Sequence, residues 1–222
     1  MTTLVCLDRD GTINKDEDYF LGSSLNWKQQ VKILEGVVDG IKLLNNISDL
    51  EIFIITNQSG VALKGSKFEL LNEKRMHEVN EYIINLLERQ GAKIRGYFSC
   101  PYVDNKYLEK AKKIGREINP DYIKDKHPDL KPNIGMIIKA AETIEKKIEE
   151  CNIYNIGDRY TDVEMGLKAG GTGILVPGKK TRELGDEARV KEIQEIYKQR
   201  VYIAKDFLDA ATYITNKLLS LS

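Results

Sequence analysis

Two aspartates, Asp8 and Asp10, stand two residues apart where a short apolar run ends, in Leu7-Asp8-Arg9-Asp10-Gly11-Thr12. On an extended segment such side chains share a face, and a bend from strand to loop can aim both at one point. Carboxylates that close repel, so they call for a cation, and Mg²⁺, which takes oxygen ligands, suits them. Gly11 permits a tight turn, and amides exposed after it can bind phosphate oxygens. Further along, Thr56-Asn57-Gln58-Ser59-Gly60 gathers neutral donors. Lys131-Pro132 offers one positive charge ahead of a helix, and Asp158 and Asp162 flank the start of another.

These residues need a frame that brings them together. Short apolar runs alternate with stretches of helical period, the pattern of a Rossmann-like α/β fold with a parallel sheet and helices on both faces. The runs are Leu4–Leu7, Ile52–Ile55, Tyr97–Cys100, Ile153–Ile156, Gly173–Val176 and Val201–Ile203. Being apolar at consecutive positions, they suit strands buried on both faces. Three apolar stripes predict covering helices: Val37, Ile41, Leu44 and Ile47; Val79, Ile83, Leu86 and Leu87; Ile134, Ile137, Ala141, Ile144 and Ile148. In an open α/β sheet ligands bind beyond the carboxyl ends of the strands, which is where Asp8, Thr56 and Asp158 fall. Two segments break the alternation. Residues 14–34 are too polar for core and read as a small flap; residues 101–130, rich in lysine, read as an insertion. No large cap domain is expected, and residues 1–222 read as one domain.

Composition narrows the function classes. A hydrophobic fraction of 41% in 222 residues supports a true core. The 34 basic and 34 acidic residues cancel, which leaves no global field for nucleic acid or membrane. The N-terminus has no basic region before Asp8, and no apolar run is long enough to span a bilayer. Three scattered cysteines, Cys6, Cys100 and Cys151, make no disulfide framework. The expectation is a cytoplasmic protein, monomeric or a small homo-oligomer. Cys6 and Cys151 read as structural, and His77 as a surface residue of its helix. Lys106, Lys110, Lys112, Lys113 and Arg116 are either a solvated helix face or a receptor for a distal anionic group.

The motifs resemble, in order, the haloacid dehalogenase superfamily of phosphatases, and within it the heptose-bisphosphate and histidinol-phosphate phosphatases. The match runs through Asp8–Asn14, Tyr19, Thr56 to Gly60, Lys131-Pro132 and Gly157-Asp158 with Asp162. The resemblance implies a small phosphorylated metabolite as substrate, a sugar phosphate such as D-glycero-D-manno-heptose 1,7-bisphosphate first and histidinol phosphate second. A 3′-phosphate on nucleic acid and a phosphoacceptor signalling domain are weaker alternatives. It makes Asp8 the nucleophile and Asp10 the general acid and base. It places Mg²⁺ on the Asp8 carboxylate, the Asp10 backbone carbonyl and Asp158, with Asp162 orienting a bound water or Lys131. Thr56 and Lys131 would stabilise transferring oxygens, while Asn57, Gln58, Ser59 and Gly60 position the substrate. The plainer readings are a solvated turn for Asp8 and Asp10, a helix cap for Asp158, and a solvated acidic run for Asp16, Glu17 and Asp18.

The chain departs from many relatives in the insertion, where they carry a zinc loop. Of its ligands only Cys100 has the expected type, and Leu130 stands where relatives place a substrate-contacting arginine. A closed zinc site takes four N or S ligands, and Cys100, His127 and Asp129 fall short of that. Packing of Tyr102, Tyr107, Ile114, Ile118, Tyr122 and Ile123 would then hold the loop. The expected outcome is that protein purified without chelator carries no stoichiometric zinc by elemental analysis. Bound zinc, lost along with stability in Cys100→Ala, would overturn this.

Overall fold

Each expected apolar run forms a strand, because consecutive apolar residues in extended backbone bury both faces at once. The computed structural model describes residues 1–16 and 20–220. The strands are β1 (Thr2–Leu7), β2 (Leu50–Asn57), β3 (Gly96–Cys100), β4 (Cys151–Gly157), β5 (Thr172–Leu175) and β6 (Val201–Ile203). They pair in parallel in the order β3-β2-β1-β4-β5-β6. The chain builds outward from β1 on one side and then returns to add β4 on the other. The ends of β1 and β4 therefore flank the point where the strand order reverses, the crevice in which such sheets bind ligands.

The helices are α1 (Trp27–Gln30), α2 (Val37–Asn45), α3 (Glu73–Glu88), α4 (Asn105–Lys113), α5 (Gly135–Thr143), α6 (Tyr160–Lys168), α7 (Lys179–Leu184), α8 (Asp186–Tyr197) and α9 (Phe207–Leu219). Alternate residues of β1 face opposite layers. Val5 and Leu7 join α2, α3 and α9 in one core, whereas Leu4 and Cys6 join α5 and Met165 of α6 in another. At Gly40 a Cβ would stand 2.7 Å from the Phe207 ring, so glycine lets α2 lie close against α9. Cys6 is fully buried, and burial pushes its thiol up to about 12, which leaves it an inert core residue.

Three expectations change in detail. The third stripe is apolar as read, but α5 ends at Thr143, and Ile144 and Ile148 pack on the core from the turns beyond it. The segment 14–34 is not too polar for core: Leu21 and Trp27 are buried in the larger cluster, and Asn14 bridges to Ile33. Spacing hides these two anchors because no period repeats around them. In the insertion, Tyr107, Ile118, Tyr122 and Ile123 pack with Ala62, Leu63 and Phe68 in a satellite core, and Tyr102 packs on the α5 layer. Ile114 does not contribute; it is 63% exposed, beyond the last turn of α4. The insertion adds α4 and single-residue bridges rather than a second sheet among the described residues. No helix is long and apolar enough to cross a membrane.

Trp27 meets Tyr82 of α3 edge-on at 5.3 Å, with the Lys28 and Arg75 cations near its face. Removing so large a buried ring leaves a cavity. Trp27→Ala is expected to lower the unfolding free energy by about 3–5 kcal/mol, read by far-ultraviolet circular dichroism in urea.

Candidate active site

Residues just past the ends of the central strands converge in a cleft of about 660 Å³. Asp8 leaves β1 with its amide on the Ile156 carbonyl of β4, at 2.8 Å. The chain then turns sharply: the Ile13 and Asn14 amides both return to the Arg9 carbonyl, and Gly11 has φ +94°. A Cβ at Gly11 would also overlap the Asp158 carboxylate, so glycine serves both the turn and the close approach.

Lys131, on the loop before α5, is buried and lies between two of the aspartates. Its Nζ donates to Asp8 Oδ1 at 2.6 Å and to Asp162 Oδ1 at 2.8 Å. Its backbone amide donates to Asn57 Oδ1 at 3.2 Å, and the Lys131–Pro132 peptide is cis. Asp162, in the first turn of α6, accepts from the Arg159 amide with its other oxygen, at 3.1 Å. Asp158 closes the group from the end of β4, where the Thr181 hydroxyl donates to its carbonyl at 2.5 Å. One carboxylate oxygen from each of Asp8, Asp158 and Asp162 lies within 4.8 Å of the others.

Three buried carboxylates around a single ammonium carry an excess of negative charge. Burial pushes the Asp158 carboxyl up to about 9, and the charges of Asp8 and Asp162 push the same way. Burial raises Asp8 to about 7, with Lys131 pulling against it. Burial disfavours the charge on Lys131, but Asp162 and Asp8 outweigh it and hold its pKa above the ordinary lysine range. An all-oxygen, electron-rich cluster of this kind fits a hard divalent cation such as Mg²⁺. Asp8 and Asp158 have the capacity to coordinate, whereas both oxygens of Asp162 are already engaged.

Asp10 belongs to a different network. Arg9, only 1% exposed, donates to both Asp10 oxygens at 3.1 and 2.6 Å, to Gln58 Oε1 at 2.7 Å and to Asn80 Oδ1 at 2.6 Å. Asn80 in turn donates to Ser99 Oγ at 2.7 Å. Gln58 Nε2 reaches Asp10 Oδ2 at 3.0 Å and Thr56 Oγ1 at 2.9 Å. Burial would raise the Asp10 carboxyl, but Arg9, Gln58 and Lys180 prevail and hold it below the usual carboxylate range. The repulsion expected between Asp8 and Asp10 is thus answered by a separate buried cation for each, while Asp158, with no ion pair of its own among the described residues, is pushed toward its protonated form.

All the expected site residues, Asp8, Asp10, Thr56, Asn57, Gln58, Ser59, Gly60, Lys131, Asp158 and Asp162, line this cleft. Of the basic insertion residues only Arg116 does; Lys106, Lys110, Lys112 and Lys113 project elsewhere and are exposed. Asp16 is no solvated charge. Its side chain is 12% exposed, pairs with Lys180 at 2.5 Å and lines the cleft. Glu17, Asp18 and Tyr19 lie outside the described residues. Cys100 is core, and burial pushes its thiol up to about 11. His127 Nδ1 accepts from the Asp129 amide, and Asp129 pairs with Lys139. Sequence reasoning missed Arg9 and Asn80. Their one trace was a lone asparagine among the apolar positions Met76, Val79 and Ile83 of α3.

Comparison with known proteins bears on the family and the fold. The HAD-hydrolase-like family model matches residues 130–210. The chain is 30% identical over 173 residues to D-glycero-beta-D-manno-heptose-1,7-bisphosphate 7-phosphatase of Rhodopseudomonas palustris, covering 78% of this chain and 82% of that protein. It is 28% identical over 211 residues to D-glycero-D-manno-heptose-1,7-bisphosphate 7-phosphatase of Chlorobaculum tepidum, covering 93% and 90%. Among solved structures it resembles D,D-heptose 1,7-bisphosphate phosphatase of B. bronchiseptica complexed with magnesium and phosphate. That match has a TM-score of 0.68 at 21% identity and covers 100% of both chains.

Breaking a buried ion pair strands the remaining charge. Arg9→Met leaves Asp10 partly exposed at 27% but unpaired, and also strips a partner from Asn80. The expected loss of unfolding free energy is about 3 kcal/mol, measured by urea titration.

Proposed function

The chain belongs to the haloacid dehalogenase-like phosphatases, in the family that includes the heptose-bisphosphate phosphatases, and from that premise we propose that it hydrolyses a small sugar phosphate, such as D-glycero-D-manno-heptose 1,7-bisphosphate, through a phosphoryl group carried on Asp8. The observation that carries this reading is the state of the Asp8 carboxylate. One oxygen is fixed by Lys131, while the other has no protein hydrogen bond among the described residues and opens to the cleft.

In the first half-reaction an Asp8 oxygen attacks phosphorus in line. The bond from phosphorus to the sugar oxygen breaks, and that oxygen takes a proton from Asp10. In the second half, Asp10 takes a proton from water as the water attacks the phosphoryl group, and Asp8 departs as carboxylate. Arg9 and Gln58 hold Asp10 ionised at rest, the form that the second half needs. A phosphate group brought beside it adds negative charge and draws its pKa up, which favours the acid form needed first. Thr56 already accepts from Gln58, so its own O–H is free to donate to a phosphoryl oxygen. Lys131 keeps Asp8 oriented and offsets charge on the transferring oxygens.

Mg²⁺ would be held by the carboxylates of Asp8 and Asp158 with the Asp10 backbone carbonyl; bound there it supplies positive charge against the phosphoryl oxygens. Asp162 fixes Lys131 rather than binding the ion directly. Residues 1–222 act as one domain on this reading, and its free thiols suit a reducing, cytoplasmic compartment.

A screen of phosphorylated metabolites for phosphate release with Mg²⁺ present, including heptose bisphosphate and histidinol phosphate, tests the activity itself. Asp8→Asn is expected to fold normally and lose turnover; a tenth of wild-type activity retained would exclude Asp8 as nucleophile. Asp10→Asn is expected to slow turnover by about 10²–10⁴-fold. Asp158→Asn is expected to raise the Mg²⁺ concentration for half-maximal binding, measured by calorimetry; unchanged affinity would remove Asp158 from the metal site.

A further inference from the structure

A single phosphate group fills a small part of a 660 Å³ cleft, a volume typical of sites that bind whole metabolites. Away from Asp8 the wall is built by Phe20, Tyr102, Tyr107 and Arg116, which come from the flap and the insertion. Arg116 differs from other cations of the cleft. Lys131 is paired with Asp8 and Asp162, Lys180 with Asp16, and Arg159 with Asp186 at 2.5 Å. Arg116 has no carboxylate within ion-pair reach among the described residues; its guanidinium stands 5.3 Å over the ring of Phe20. Asp104, the acidic group on the same wall, caps α4 by accepting from the Tyr107 amide at 2.7 Å.

The position is also held firmly. Gly115, at φ +67°, turns the chain out of α4, and the Arg116 amide donates to the Ala111 carbonyl at 2.9 Å. On its other side Lys64 donates to the Glu117 carbonyl at 2.9 Å, and Ile118, buried in the satellite core, bridges to Leu63. Phe20 is fixed edge-on by Phe68 at 5.4 Å. A half-buried guanidinium, pre-positioned on an aromatic face and with no carboxylate paired to it among the described residues, is suited to receive an anion in two parallel hydrogen bonds.

We propose that Arg116 reads a second anionic group on the substrate, a phosphate or carboxylate remote from the phosphate that is cleaved, and so selects doubly anionic sugar phosphates over those with a neutral or amine-bearing body. This rests on the phosphatase reading above and narrows its substrate class. Arg116 is a specificity residue and takes no part in the bond changes at phosphorus.

The test compares kcat/KM for fructose 1,6-bisphosphate and 6-phosphogluconate with that for fructose 6-phosphate and glucose 6-phosphate. A charge-assisted contact of this kind should favour a doubly anionic ester by about 10-fold or more in the wild type, chiefly through KM. Preference for the bisphosphate identifies a phosphate reader, and preference for the sugar acid a carboxylate reader. Arg116→Gln is expected to bring the ratio close to one, and Arg116→Lys to retain part of it. A wild-type ratio near one, or a ratio unchanged in Arg116→Gln, would overturn the proposal. Calorimetric binding of the same compounds to Asp8→Asn, with and without Arg116→Gln, reads the preference without turnover. If none of these four esters releases phosphate, the binding ratios still decide for or against Arg116, and the phosphatase reading stands or falls separately on the metabolite screen above.

Discussion

Three carboxylates buried around one ammonium impose the constraint on which the rest of this molecule is arranged. An uncompensated charge out of water costs several kcal/mol, so Asp8, Asp158 and Asp162 can share one pocket only while Lys131 stands among them. Lys131 reaches them from a loop more than a hundred residues after Asp8, and its place is set by the Asn57 side chain and the start of α5. Asp162 is held in turn by the first turn of α6, whose Arg159 amide it accepts. The ends of β1, β2 and β4 are thereby tied to one charge balance. The balance still favours a further cation, and a hard divalent ion meets that demand with the oxygen ligands available.

A second buried cation organises the other half of the cleft. Arg9 fixes Asp10 and extends through Asn80 to Ser99, linking the β1 loop to α3 and to the edge strand β3. Fully satisfied polar networks of this kind rigidify the groups they contain, so Asp8 and Asp10 keep distinct surroundings although they are neighbours in the chain. One rests with a raised pKa beside a lysine, and the other is held ionised by an arginine. On the proposed mechanism, these divergent environments suit one carboxylate to attack and the other to move protons.

Around this rigid floor, the wall comes from elements with their own support. The flap is anchored by Leu21 and Trp27 in the main core, and the insertion rests on a satellite core that includes Phe68 and Ile118. Both present side chains to the cleft without belonging to the sheet. A change in such elements has little effect on the groups at the strand ends, so on the proposals made above selectivity falls to the wall at Phe20, Tyr107 and Arg116 and reactivity to the strand ends.

By itself the sequence determined the six strands, the covering helices α2, α3, α5 and α6, though not α8 or the core helix α9, and the positions of Asp8, Thr56, Lys131 and Asp158 at the ends of elements. These are encoded in local runs, periods and turn residues, which neighbouring positions disclose. It did not disclose that Arg9 turns inward to a helix 71 positions away, that the polar flap buries a tryptophan, or that α5 stops short of its apolar stripe. Nor did it distinguish Arg116 from the lysines beside it, since all five share one basic stretch. The tertiary structure decided those points, because the fate of a charge depends on which distant acids, amides and rings the fold brings to it, and no local pattern records those partners.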